Sequence, residues 1–224
     1  MTIHQFLDTA VFVGYVFKHD CWGRASCICL SGSDKKYTSA RVTGEFTNKV
    51  GTIRRESSGN LLEVMDKLRR KNQSDFVSLM DLGWLVAVCN GMRIWRFINW
   101  FAGKLKNENI TFGELVRRLH TAHSDYMAET LIQEQLITKR FNPNDILCWM
   151  RRLPYNSLYS QVSAVVDNSN DVKILLDAHD LASNRNIRPL EFVTGDKEHI
   201  KSNEATIVKC LKITKVRYLL EFMP

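Results

Sequence analysis

Six cysteines occur in this 224-residue chain, at positions 21, 27, 29, 89, 148 and 210, and no two of them form a Cys-x-x-Cys pair. The six histidines make no matched ligand spacing with them. A zinc ribbon and a disulfide scaffold are therefore both poor readings, and a reducing cytoplasm is the simpler setting. Internal repeats and low-complexity linkers are also missing, so nothing forces two domains. The opening MTIHQFLD lacks a basic stretch followed by an apolar one and reads as a first strand rather than a secretory signal. The longest apolar run, residues 84–103 (WLVAVCNGMRIWRFINWFAG), is long enough to cross a bilayer but carries Arg93 and Arg96 near its middle. Each arginine would cost about 2.5 to 3.5 kcal/mol there, so the run is expected to be a buried or partner-facing helix with no membrane role.

The residues that are present describe a folded, basic protein. Hydrophobic residues make up 45% of the chain, enough for a core in one elaborated domain or a domain with an insertion. Thirty-one Lys and Arg against 24 Asp and Glu leave a formal charge of +7, which favours a polyanionic partner.

Periodicity predicts a strand over residues 3–8, a helix over 9–17 and a second strand at KYTS, residues 36–39. Ser39 is placed to cap a helix on which Val42, Glu45 and Phe46 share a face. From residue 59 to 123 the pattern is helical, beginning with Leu61, Leu62, Met65 and Leu68. A separate helix is expected over 124–138, and FNPND marks a break before another element at 146–152 that ends at Pro154. Two more helices are predicted over 155–166 and 171–184, then a strand over 190–194 and one or two closing strands from TIVKCLKI and VRYLLEF.

Taken singly, each acid has an ordinary reading. Asp8 after an apolar strand is a turn or helix cap, Glu45 a solvated helix residue, Asp180 a partner for Arg185 or His179, and Asp196 in TGDK a turn residue. The order of their contexts points elsewhere. DTAVFVGYVF, YTSARVTGEF, DAHDLAS and FVTGDKEH together resemble the PIN-domain family of metal-dependent nucleases, over the first 50 or so residues and the last 60. A haloacid-dehalogenase-type phosphatase also opens with strand-then-Asp, but it would want a second Asp at position 10, which is Ala.

The resemblance implies a three-layer α/β/α fold with a mainly parallel sheet, made from residues 1–58 and 154–224, with a helical insertion over 59–153. It implies Asp8, Glu45, Asp180 and Asp196 as a four-carboxylate set for Mg²⁺ or Mn²⁺, with Asp177 and Thr194 as auxiliaries. Hard divalent ions prefer carboxylate oxygens, and clustered acids without an ion would repel one another. The implied activity is a ribonuclease, most simply an endoribonuclease, using metal-activated water. The implied alternative is a PIN-like module without catalysis, binding RNA or serving assembly. Glu45 and Asp180 lie 135 positions apart, much farther than in compact toxins of VapC type. The insertion is thus expected to bind RNA, cover the site, form a homodimer interface or receive a partner protein, the last through an apolar patch around Trp95 and Trp100. Among the basic doublets, Arg54-Arg55 and Arg151-Arg152 are candidates for contacting a nucleic-acid backbone. Trp22, Tyr37, Trp95, Trp100, Trp149 and Tyr155 are candidates for base stacking, though aromatics at helical spacing in apolar segments belong mostly to the core.

Overall fold

An apolar strand followed at once by an acid begins the sheet. In the computed structural model, which describes residues 3–223, the first elements are β1 (His4–Leu7), α1 (Thr9–Val16), α2 (Gly23–Ser31), β2 (Lys35–Ser39) and α3 (Ala40–Arg69). They are followed by α4 (Leu79–Val88), α5 (Trp95–Leu105), α6 (Phe112–Arg140), β3 (Ile146–Trp149) and α7 (Asn156–Ser163). The last are α8 (Ser169–Arg185), β4 (Leu190–Thr194), α9 (Glu204–Cys210) and β5 (Lys215–Tyr218).

The chain divides into two compact units, one made of Met1–Asn48 with Glu134–Pro224 and the other of Lys49–Gln133. The first is the α/β unit. Its five strands are all parallel in the order β3-β2-β1-β4-β5, in the three-layer α/β/α arrangement expected from the sequence. A parallel sheet is covered on both faces, so its strands read as continuous apolar runs rather than alternating ones. Accordingly, Phe6, Leu7, Phe192 and Val193 are all buried, with Phe6 and Phe192 stacked at 5.9 Å between ring centroids. Phe12, Phe46 and Phe141 meet edge to face at 5.0 to 6.0 Å and pin α1, the start of α3 and the chain after α6 to one another. The buried residues of α8 run almost unbroken from Val172 to Ala182.

Several predicted elements change. β3 falls where the pattern had suggested an element extending to residue 152, and it pairs with β2 from Lys36↔Ile146 to Ser39↔Trp149. A four-residue apolar run carries no periodicity of its own, and here pairing with a neighbour decided it. The second compact unit spans 49–133, where the insertion was expected over 59–153, and β3 lies outside it in the sheet. TIVKC is helical in α9 and only KVRY forms a closing strand. α2 had no counterpart in the sequence reading.

The second unit is helical. The run at 84–103 is broken into α4 and α5 by a turn in which Gly91 adopts φ 83°, a left-handed conformation that glycine enters without penalty. The stretch expected as two helices, on either side of residue 124, is the single helix α6. No helix among the described residues is long and apolar enough to cross a membrane. Exposed apolar side chains of this unit include Phe76, Leu79 and Met80 at the start of α4, Leu131 and Ile132 on α6, and Trp100, over whose ring the Lys104 ammonium lies at 4.3 Å, while Trp95 is half-buried.

His123 sits in the aromatic core of this unit, edge-on to Phe97 at 5.5 Å, and its Nε2 meets no hydrogen-bond partner among the described residues. Burial pushes its imidazole down to about 4, with the nearby His120 adding to the effect. The unfolded chain takes up this proton near pH 6.5 and the folded one does so only near 4, so the contribution to stability is whole above pH 6.5. It falls as the pH drops through that window, by up to about 1.4 kcal/mol per unit. Urea denaturation at pH 7 and pH 5 should show a smaller acid loss in His123→Leu than in the parent chain; an equal loss in both would refute this.

Candidate active site at the sheet edge

β1 and β4 are neighbours at the point where strand order reverses, and in open α/β sheets the crevice beyond the carboxyl ends of such strands is where ligands bind. Asp8 follows β1 directly. Its backbone N–H donates to Val193 O at 3.0 Å, and its side chain caps α1 by accepting from Thr9 N at 2.6 Å. Its second carboxylate oxygen accepts from the Thr194 hydroxyl at 2.8 Å. Thr194, the last residue of β4, is fully buried, and the same hydroxyl oxygen accepts the Asp196 N–H at 3.0 Å. One hydroxyl therefore ties the ends of both central strands. The Asp196 side chain accepts from His199 N at 2.8 Å, closing a local turn.

Gly195 links these residues, and its backbone lies where no side chain fits. An added Cβ would stand 2.7 Å from Ala10 Cβ and 3.0 Å from the Trp22 ring. Gly195→Ala must therefore shift the Asp196 turn or α1, at a cost of about 1 to 3 kcal/mol. A lowered melting temperature is the expected result, and an unchanged one would show that the turn gives way freely.

The next strand brings a different acid from the one expected. Thr38 donates its hydroxyl to Leu7 O at 3.1 Å, which sets the end of β2 beside that of β1. Ser39 caps α3 through a 3.4 Å bond from Val42 N, as its sequence position predicted. Its hydroxyl also bonds Asp177, a residue of α8 that is 4% exposed. Arg41 Nε lies 3.8 Å and Arg151 Nε 3.4 Å from the Asp177 carboxylate. Burial pushes the Asp177 carboxyl above its ordinary value, and the Ser39 hydroxyl and the two guanidiniums oppose that shift.

Asp180, one turn further along α8, is wholly buried and spent inside the protein. One carboxylate oxygen accepts from Trp149 Nε1 at 2.8 Å and Arg152 N at 3.1 Å, and the other from Asn184 Nδ2 at 3.0 Å. Both oxygens are thus engaged by donors of β3, the segment after it and α8 itself, and the carboxylate ties β3 to α8. Glu45 is half-buried in α3 and accepts from Asn170 Nδ2, at the start of α8, at 2.6 Å.

The basic candidates also separate. Arg54 turns its fork onto Thr130, bonding the hydroxyl at 2.9 Å and the carbonyl at 2.8 Å, and so joins helices within the helical unit rather than offering itself to a ligand. Arg55 is exposed in that unit. Arg152 is exposed, with its guanidinium 5.3 Å from the Trp149 ring; that ring is 5% exposed and structural. Arg41 escaped the sequence reading because it is a single arginine, although it lies within the same TSARV segment as Ser39.

Mg²⁺ is usually bound by one or two carboxylates, with water and substrate phosphates completing its shell. Asp8 and Asp196 carry hard oxygen donors of the kind such an ion takes, and the Thr194 hydroxyl links the Asp8 carboxylate to the Asp196 backbone N–H. Among the described residues no group of three or more His, Cys, Asp or Glu is arranged to hold an ion. No protein-family model, curated protein or solved structure matches the chain.

Proposed function

We propose that this chain is a divalent-metal-dependent ribonuclease of PIN type, working at the crevice between β1 and β4. The observation that carries the reading is the Thr194 hydroxyl, which donates to Asp8 and accepts from the Asp196 backbone where the strand order reverses. In this reading Asp8 and Asp196 hold Mg²⁺ or Mn²⁺ together with substrate phosphate oxygens and water. The Thr194 hydroxyl holds the Asp8 carboxylate and the backbone of the Asp196 turn, while Asp177 stands apart, engaged by Ser39, Arg41 and Arg151. Glu45 acts through water from the first turns of α3. When bound, the ion supplies a water of lowered pKa and charge stabilisation for the leaving oxygen. The chain's own part is to aim its carboxylates, which the Thr9 N–H and Thr194 hydroxyl do for Asp8. The net charge of +7 would draw RNA to the protein, and cysteines without paired spacing favour a reducing cytoplasm as the setting.

End-labelled single-stranded and hairpin RNAs incubated with the purified chain should be cut in Mg²⁺ or Mn²⁺ and left whole in EDTA. RNA left intact under every metal condition would overturn the reading.

The commitment of Asp180 to Trp149 and Arg152 favours a second reading, a PIN-like module that binds RNA or a protein without cutting. Calorimetric titration with Mn²⁺ separates the two, since a module without a metal site takes up no ion. Homodimer formation or a protein partner at Phe76, Leu79 and Met80 belongs to either reading.

A further inference from the structure

We propose that Arg41 and Arg151 form a phosphate clamp for single-stranded RNA at the ends of β2 and β3, beside the proposed metal crevice and distinct from its acids. The two residues arrive from different elements. Arg41 stands in the first turn of α3 and Arg151 two residues beyond β3, and both reach the one buried carboxylate of Asp177. The Asp180 carboxylate, one turn along α8, also acts on Asp177. The two arginine side chains are 37% and 18% exposed, so the guanidiniums sit partly withdrawn from water.

The pairing geometry leaves the donor forks largely unspent. Both arginines approach Asp177 through Nε, at 3.8 and 3.4 Å, longer than the 2.7 to 2.9 Å or so of a charge-assisted hydrogen bond. Arg151 Nη1 is buried with no hydrogen-bond partner among the described residues. A guanidinium carries five N–H donors in a plane matched to two oxygens of a phosphate, and an unsatisfied buried donor is costly to leave so. The two non-bridging oxygens of an RNA phosphodiester, which share one negative charge, would satisfy those donors. The clamp thereby fixes a phosphate beside the one presented to Asp8 and Asp196. That register rests on the nuclease reading, while binding itself does not.

The test is fluorescence anisotropy of a labelled single-stranded RNA with the full chain in EDTA, where cutting cannot contribute. Arg41→Gln and Arg151→Gln should each weaken binding about tenfold, and each should reduce the slope of log K against log salt by about 0.7. Arg151→Lys should keep the salt slope but lose affinity, because an ammonium cannot engage two oxygens at once. Asp177→Asn, which frees both guanidiniums from their carboxylate, should tighten binding. Parental affinity and slope in a folded double glutamine variant would overturn the clamp. So would an Asp177→Asn variant that binds RNA no more tightly than the parent chain, which covers the case in which the double variant fails to fold. Failure of RNA cleavage in metal alongside these binding results would count against the nuclease reading alone.

Discussion

Asp8→Asn should abolish metal-dependent RNA cleavage while leaving the protein folded. The two effects separate because Asp8 has two duties. As the N-cap of α1 it accepts the Thr9 N–H, and asparagine serves that position about as well as aspartate. As the ion ligand proposed above it would contribute a charge that asparagine lacks. Cleavage is expected to fall by about 10²-fold or more, the loss typical of removing a preorganised electrostatic contact to a transition state. The melting temperature should stay within about 3 °C, since a change of about 1 kcal/mol moves a chain of this size by 2 to 4 °C. Gel assays of RNA in Mn²⁺ together with thermal denaturation decide the matter. Cleavage at the parental rate would remove Asp8 from the chemistry, and loss of both activity and fold would mean that the carboxylate serves the structure.

Asp180→Ala should have the opposite profile. Truncation strips partners from Trp149 Nε1, the Arg152 N–H and the Asn184 amide in a fully buried place. Each orphaned donor costs about 1 to 3 kcal/mol, and breaking a buried charged network typically costs 3 to 5 kcal/mol in all. A loss of about 4 kcal/mol corresponds to a fall of about 8 to 16 °C in melting temperature for a chain of this size. Urea denaturation should show the midpoint moving with an unchanged slope, as expected when stability alone has changed. If Asp180 were an ion ligand instead, the alanine variant would lose cleavage while keeping its stability. Measuring both quantities on this one variant therefore tells the lock from the ligand.

The contrast between these two acids shows where sequence reading succeeds. Asp8 was legible because a short apolar run followed by an acid and a helical pattern leaves few options: the strand must end, the helix must begin, and the acid sits at the join. Thr194 and Asp196 were legible for the same reason at β4. Asp177 and Asp180 are three residues apart on one helix and present nearly the same face. No property of the sequence says which carboxylate looks out over the end of β2 and which is captured by an indole and a backbone amide. That choice depends on β3, whose Trp149 reaches Asp180, and β3 itself was misread because four apolar residues have no period to declare. Arg41 and Arg151 were hidden likewise: they meet at Asp177 from positions 110 residues apart in the chain.

The helical unit divides in the same manner. Its helical content followed from periodicity, but the break at Gly91 depended on a left-handed backbone, and the uninterrupted run of α6 through residue 124 on packing along its length.

By itself, then, the sequence determined the β1 and β4 ends with their acids and a long helical stretch between them, since each follows from local pattern and the short reach of backbone and capping bonds, while the α/β class was what the family resemblance implied. Only the tertiary structure decided the all-parallel strand order, the boundaries of the insertion, the burial of Asp180 and the meeting of Asp177 with two arginines. Those depend on contacts between residues distant in the chain, where a carboxylate's role is set by which donors reach it and how much water is left.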